Sequence, residues 1–171
     1  FDNEVERREA VAIDRLVSIR TLQEAYKTGH RRFLSTTDSL IDFYKNGKIT
    51  IVRQIGSMDD SVAVAEGRVS RDSIEIFVRD TLLKGKGSLI DSISFIPFSG
   101  GKRINMQSVV RKVSGIEIPL FEATIPYDDL LNGLDRQLIV NLKAEKEDMH
   151  QYTGLKVGDI ENPNNNAGNW E

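Results

Sequence analysis

The chain has 171 residues, enough for one domain with a sizeable core and too few for two. Hydrophobic residues make up 39% and charged residues 29%, the balance of a folded soluble protein. The net charge of -3 gives no concentrated basic surface, so nucleic acid is not an expected partner, and the absence of cysteine removes disulfides, thiolate metal sites and cysteine nucleophiles together.

The first predicted element is a helix over residues 3–28. Asn3 is the expected cap, with Glu6 placed to close a capping box and Gly29 as the stop. Val5, Ala12, Leu16, Ile19, Leu22 and Tyr26 recur at helical spacing and form the expected core face. Arg7, Arg8, Arg15 and Arg20 alternate with Glu4, Glu6, Glu9 and Asp14, a pattern that reads as a solvated face, with Arg8 and Arg15 in water. A second helix is predicted over 37–46, entered from Ser35, Thr36 and Thr37 and closed by Asn46-Gly47.

Residues 48–55 then read as a strand, 56–61 as a polar loop, and 62–69 and 73–78 as further strands. The segment 82–93 carries two glycines and is compatible with a loop or one helical turn. Phe95-Ile96-Pro97-Phe98 leads into the turn Ser99-Gly100-Gly101, and 103–113 with 116–125 form a predicted antiparallel hairpin about Ser114-Gly115. A helical turn is expected over 127–131, closed by Asn132-Gly133. Residues 136–146 fit both periods: Leu134, Leu138 and Leu142 suit a helix, Leu138, Val140 and Leu142 a strand.

Catalytic signatures fail one by one. His30 and His150 have no second histidine or carboxylate at metal-ligand spacing. Asp59-Asp60 and Asp128-Asp129 lack the repeated oxygen ligands of a calcium loop and read as solvated turns. Ser99-Gly100-Gly101-Lys102 lacks the full spacing of a phosphate loop and reads as a turn between strands. No serine sits in a nucleophile elbow. Expected catalytic, cofactor-binding and metal residues are therefore none, and the chain is read as no enzyme.

The Asn-rich tail from 161 onward is expected to be irregular. It carries Trp170, the single tryptophan, and a large aromatic is costly to leave in water. Docking of Trp170 onto the domain, at least half buried, is the expectation. The asparagines would add side-chain hydrogen bonds to backbone.

The segment from Ala12 to Phe43, with Ile19-Arg20, Gln23-Glu24-Ala25-Tyr26-Lys27, Gly29 and Asp38-Ser39-Leu40, resembles the helical stalk of type IV pilins and pseudopilins. The proline often found there is absent, and no processing site is visible. Nearly the whole chain resembles an uncharacterised family of single-anchor cell-envelope proteins from Bacteroides-like bacteria. The carrying motifs are Ile19-Arg20 with Ala25-Tyr26-Lys27, Ile41-Asp42-Phe43 with Lys45-Asn46-Gly47, Ile96-Pro97-Phe98-Ser99, Phe121-Glu122-Ala123, Gly133-Leu134-Asp135, Tyr152 with Gly154-Leu155-Lys156-Val157-Gly158, and the terminal run from Asn165 to Glu171. The resemblance implies an extracytoplasmic domain on an N-terminal membrane helix and transfers no activity. No stretch within the chain is apolar and long enough to span a bilayer; because the first residue is Phe1, about 20 apolar residues upstream are the expectation. Five Asp-Ser/Thr-aliphatic triplets resemble the acceptor of Bacteroides-type O-glycosylation, at Ser39, Ser61, Ser73, Thr81 and Ser92, where chance gives on the order of one. The competing reading is that such pairs are helix caps and turn formers.

These readings predict an α+β fold, a long N-terminal helix plus a short second helix packed on an antiparallel sheet. Residues 1–160 form one domain, 1–28 its stalk-like helix, and 161–171 the tail. The expected function is a non-catalytic extracytoplasmic domain of a membrane-anchored envelope protein, serving assembly or interaction with a protein partner. The alternative is a periplasmic module for a small ligand or glycan. A cleft with convergent polar groups would favour a ligand, an exposed apolar patch a protein partner.

Overall fold

The computed structural model describes residues 1–55 and 70–171. The expected loop 56–61 and strand 62–69, with Asp59-Asp60 and Ser61, lie outside the described residues.

Helix α1, Asp2–His30, presents its predicted stripe inward: Val5, Ala12, Leu16, Ile19 and Leu22 are buried and Tyr26 is half-buried. Its ends differ from expectation. Asn3 lies inside the first turn, and Phe1 occupies the cap position without a side-chain bond. The first turn instead gains from Asp2 and Glu4 at the positive end of the helix dipole and from Glu4 pairing with Arg7 and Arg8 at 2.6 and 2.9 Å. At the other end Gly29 does not stop the helix. The His30 ring stacks on Tyr26 at 3.9 Å, and its Nδ1–H donates to the Tyr26 carbonyl at 3.0 Å, which carries the helix one residue further. Arg31 then takes the left-handed position (φ 59°), its N–H donating to Lys27 O.

The arginine face is also corrected. Arg7 is exposed, but the Arg8 side chain is only 13% accessible, and it donates to the carbonyls of Leu130 (3.0 Å) and Asn132 (2.8 Å). Arg15 is half-buried and donates to Phe95 O at 2.6 Å. Each guanidinium lies along the helix surface and reaches backbone acceptors of other elements, as a long amphipathic side chain can.

A buried glutamine orders the next turn. The Gln23 amide donates to Leu34 O and accepts from Leu34 N–H, both at 2.8 Å, so its polar ends are satisfied inside the core. Helix α2, Thr37–Asn46, follows with the predicted bounds, capped by Thr36 Oγ1, which accepts from Ser39 N–H at 3.1 Å. It buries Leu40, Phe43 and Tyr44.

Strand β1, Lys48–Ile55, pairs antiparallel with β2, Ser70–Phe77, placing Ile49 opposite Ile76 and Ile51 opposite Ile74. A 3-10 turn at Val78–Asp80 buries Val78, and within 82–93, read as a loop or one helical turn, a second 3-10 segment forms, Gly87–Ser94, and buries Ile90 and Ile93. Strands β3, Asn105–Val113, and β4, Ile116–Pro126, form the predicted hairpin. Ser114 and Gly115 both have positive φ (54° and 82°), the two-residue turn whose twist matches the strands. Strand β5, Gly154–Gly158, joins the other edge of β4 in order β3-β4-β5, so the described strands make two antiparallel sheets.

Between β4 and β5 lie a short helix α3, Tyr127–Leu130, and α4, Arg136–Asp148. The ambiguity over 136–146 resolves to helix. Asp135 caps it by accepting from Leu138 N–H at 3.1 Å, and the apolar contact is a narrow stripe of Ile139 and Leu142 rather than Leu138 and Val140, which are exposed. Phe121, Ala123 and Ile125 of β4 and Leu155 and Val157 of β5 share one core cluster with Leu16, Ile19 and Leu22 of α1, so the long helix packs across this sheet.

Candidate functional site

Two features stand out once the core is set. The first is a cavity of about 280 Å³ where α1, α3, the run from α4 to β5 and the tail meet. α1 contributes Glu9, α3 Tyr127, α4 Lys146, the following loop Gln151 and Tyr152, and β5 Lys156; the tail closes it with Asn169 and Trp170.

The tail wall is built in detail. It runs along the free edge of β5, with Gly158 N–H donating to Ala167 O (3.0 Å) and Asn169 N–H to Lys156 O (2.9 Å). The Asn169 side chain imitates a peptide: its Oδ1 accepts from Lys156 N–H at 3.1 Å and its Nδ2 donates to Gly154 O at 2.9 Å. Glu171 is gripped by both Arg20 terminal nitrogens at 2.7 and 3.1 Å and by Gly168 N–H at 2.7 Å. These bonds, the Arg20 pair first, hold its carboxyl down at about 2. Trp170 is half-buried and packs on the core cluster, as expected, although the segment has no strand of its own.

Inside the cavity Tyr127 is 3% exposed and its hydroxyl donates to Glu9 Oε2 at 3.1 Å. Burial first, then the Glu9 charge and this hydrogen bond, push the phenol pKa far up, so Tyr127 is a fixed neutral donor. Burial also raises Tyr152. Lys156 Nζ sits 3.5 Å from both Glu122 Oε1 and Asp159 Oδ2, whereas Lys146 has no ion-pair partner among the described residues. The lining thus offers aromatic surface, amides and one uncommitted ammonium.

The second feature is the outer half of the β3–β4 hairpin, where residues 110–117 are all exposed. Register places Val113 beside Ile116, Arg111 beside Ile118, and Val109 beside Leu120 on the face away from Phe121. This stripe grades from Leu120, buried but outside the main cluster, to Val113 and Ile116 at 37% and 66% exposure.

The acceptor-like residues do not converge. Ser39 hydrogen-bonds the Thr36 hydroxyl at the start of α2, and Thr81 and Ser92 are half-buried, bonding back to Phe77 O and Leu89 O. Ser73 is exposed on β2. Asp128 is held by Arg136 (2.8 Å) and Lys143 (2.7 Å), and Ser99 closes its turn by donating to Ile96 O and accepting from Lys102 N–H. Among the described residues no acidic, histidine or cysteine group could hold a metal, and no helix is long and apolar enough to cross a membrane. Sequence reasoning missed Glu9, Tyr127, Lys146 and Lys156; Trp170 is the one local signal that pointed to this place. No family model, curated protein or solved structure matches the chain.

Proposed function

We propose that this is a non-catalytic extracytoplasmic domain of a membrane-anchored envelope protein, acting in assembly or protein interaction. The observation that carries the interaction reading is the end of the hairpin stripe, where Val113 and Ile116 stand side by side in solvent beyond the Arg111–Ile118 pair. Clustered exposed apolar side chains are retained at a stability and solubility cost, and their usual use is a protein contact. The envelope location is supported by the sequence resemblance and the acceptor-like triplets. A photo-crosslinking side chain at Ile116 of the full-length protein, expressed in its own cell, tests the contact, with exposed Lys84 as control. A discrete adduct from position 116 alone is expected; no adduct, or the same pattern at both positions, removes the interaction reading. Fractionation tests the location, and recovery of the full-length product in the soluble fraction removes the anchor.

A second reading, a small-ligand or glycan-binding module, is supported by the cavity between Glu9, Tyr152 and Trp170, where aromatic rings and polar groups converge from separate elements.

A further inference from the structure

We propose that this cavity binds an acidic saccharide, a pyranose bearing a carboxylate, with Trp170 and Tyr152 as stacking surfaces and Lys146 as the carboxylate partner. This rests on the second reading above and names its ligand class.

The aromatic rings are seated rather than incidental. A Cβ at Gly168 would come within 2.4, 2.5 and 2.6 Å of three consecutive atoms of the indole six-membered ring, so the ring lies with its face over the glycine. A Cβ at Gly154 would come within 2.9 Å of the Tyr152 ring. Glycine at 168 lets the indole rest on the backbone; at 154 the nearest neighbour of such a Cβ is the Ile125 carbonyl of β4, at 2.3 Å, and the Tyr152 ring lies beside it, both rings lining the cavity. Sugar rings present one face of C–H bonds, which packs on an aromatic face, and an equatorial belt of hydroxyls, which needs donors and acceptors at the side.

The side groups fit that belt. Glu9 uses Oε2 for Tyr127, and its Oε1 accepts no hydrogen bond among the described residues. The Gln151 side-chain amide is likewise uncommitted among the described residues. Charge selects the acid. Lys156 is already shared by Glu122 and Asp159, and Glu9 is engaged by the Tyr127 hydroxyl, so the acid preference rests on Lys146 alone. Lys146 is left to meet a ligand anion.

Trp170 is the single tryptophan, so emission arises only from this cavity wall and the tail that carries it. The chain is titrated with trigalacturonate, with cellotriose as a neutral ring and with tricarballylate as charge without a ring. Trigalacturonate is expected to change the emission saturably, with cellotriose about fivefold weaker, the value of one solvated ion pair, and tricarballylate silent. Lys146→Gln should remove that fivefold difference at unchanged thermal stability, and Lys146→Arg should keep it. Equal binding of cellotriose, or no effect of Lys146→Gln, overturns the acid preference and leaves the glycan reading standing. Equal binding of tricarballylate overturns the saccharide. If no probe moves Trp170 emission or the amide resonances of Lys156 and Asn169 at millimolar concentration, the ligand-binding reading falls with it.

Discussion

Leu16 tests whether α1 is the spine of the domain or an extension beside it. The side chain is fully buried and shares a cluster with Phe121, Ile125 and Leu155 of the three-stranded sheet. Leu16→Ala removes the buried branched end of the side chain and leaves a cavity that packed neighbours on two elements fill only in part. The expected loss is about 2–5 kcal/mol. An unfolding entropy of about 2.1 cal/mol/K per residue gives roughly 360 cal/mol/K for a chain of this length, so the midpoint should fall by about 6–14 °C. Differential scanning calorimetry reads this directly, with urea unfolding as a second measure. Glu24→Ala, exposed on the same helix, should change stability by no more than about 0.5 kcal/mol. If Leu16→Ala also stays within about 0.5 kcal/mol, the helix does not pack through this face and the fold described above is wrong at its centre.

Three further outcomes are expected. Trp170 emission should be blue-shifted in the native state and move red on unfolding, whereas a native spectrum already at the solvent position would show an undocked tail. Glu171 is held at about 2 against an ordinary 4.5, so its contribution to docking is present above about 4.5 and is lost as pH falls towards 2; the emission of the parent should show this acid step and Glu171→Gln should lack it, the same step in both refuting the Arg20 clasp. Gln23→Leu should destabilise by about 1–3 kcal/mol in thermal unfolding, because both Leu34 backbone groups lose their partner, and a neutral result would mean that water replaces the amide.

What could be read from the sequence follows the range of the forces involved. Helix α2 and strand β1 have the bounds expected of them because their signals are local: Thr36 as cap, Asn46-Gly47 as stop, and a β-branched run beginning at Ile49. The hairpin was legible for the same reason, since Ser114-Gly115 can adopt the two positive φ values its turn demands. Over 136–146 the local periods tie. The tie is broken by the Asp135 cap and by which residue meets the core, Ile139, and that depends on where the sheet lies. The arginines of α1 mislead for a related reason. Their partners are carbonyls at Leu130, Asn132 and Phe95, and a carbonyl has no signature in a sequence.

The tail sets composition against energetics most sharply. An Asn-rich run averages to the polarity of a disordered segment, and an average cannot see that four contacts decide the outcome. Asn169 replaces a peptide unit along β5, Gly168 leaves space for an indole, Trp170 packs on the core cluster, and Arg20 holds Glu171 from the far side of the chain. Each is a different kind of interaction, so none raises the hydrophobic or strand-forming score of the segment. Together they cover part of the β5 edge that would otherwise be open to pairing. The same contacts build one wall of the cavity, so docking of the tail and binding in the cavity are linked equilibria. A ligand that stacks on Trp170 must stabilise the docked tail, and a change that releases the tail, Gly168→Ala included, must weaken that ligand in proportion to the docked fraction it removes.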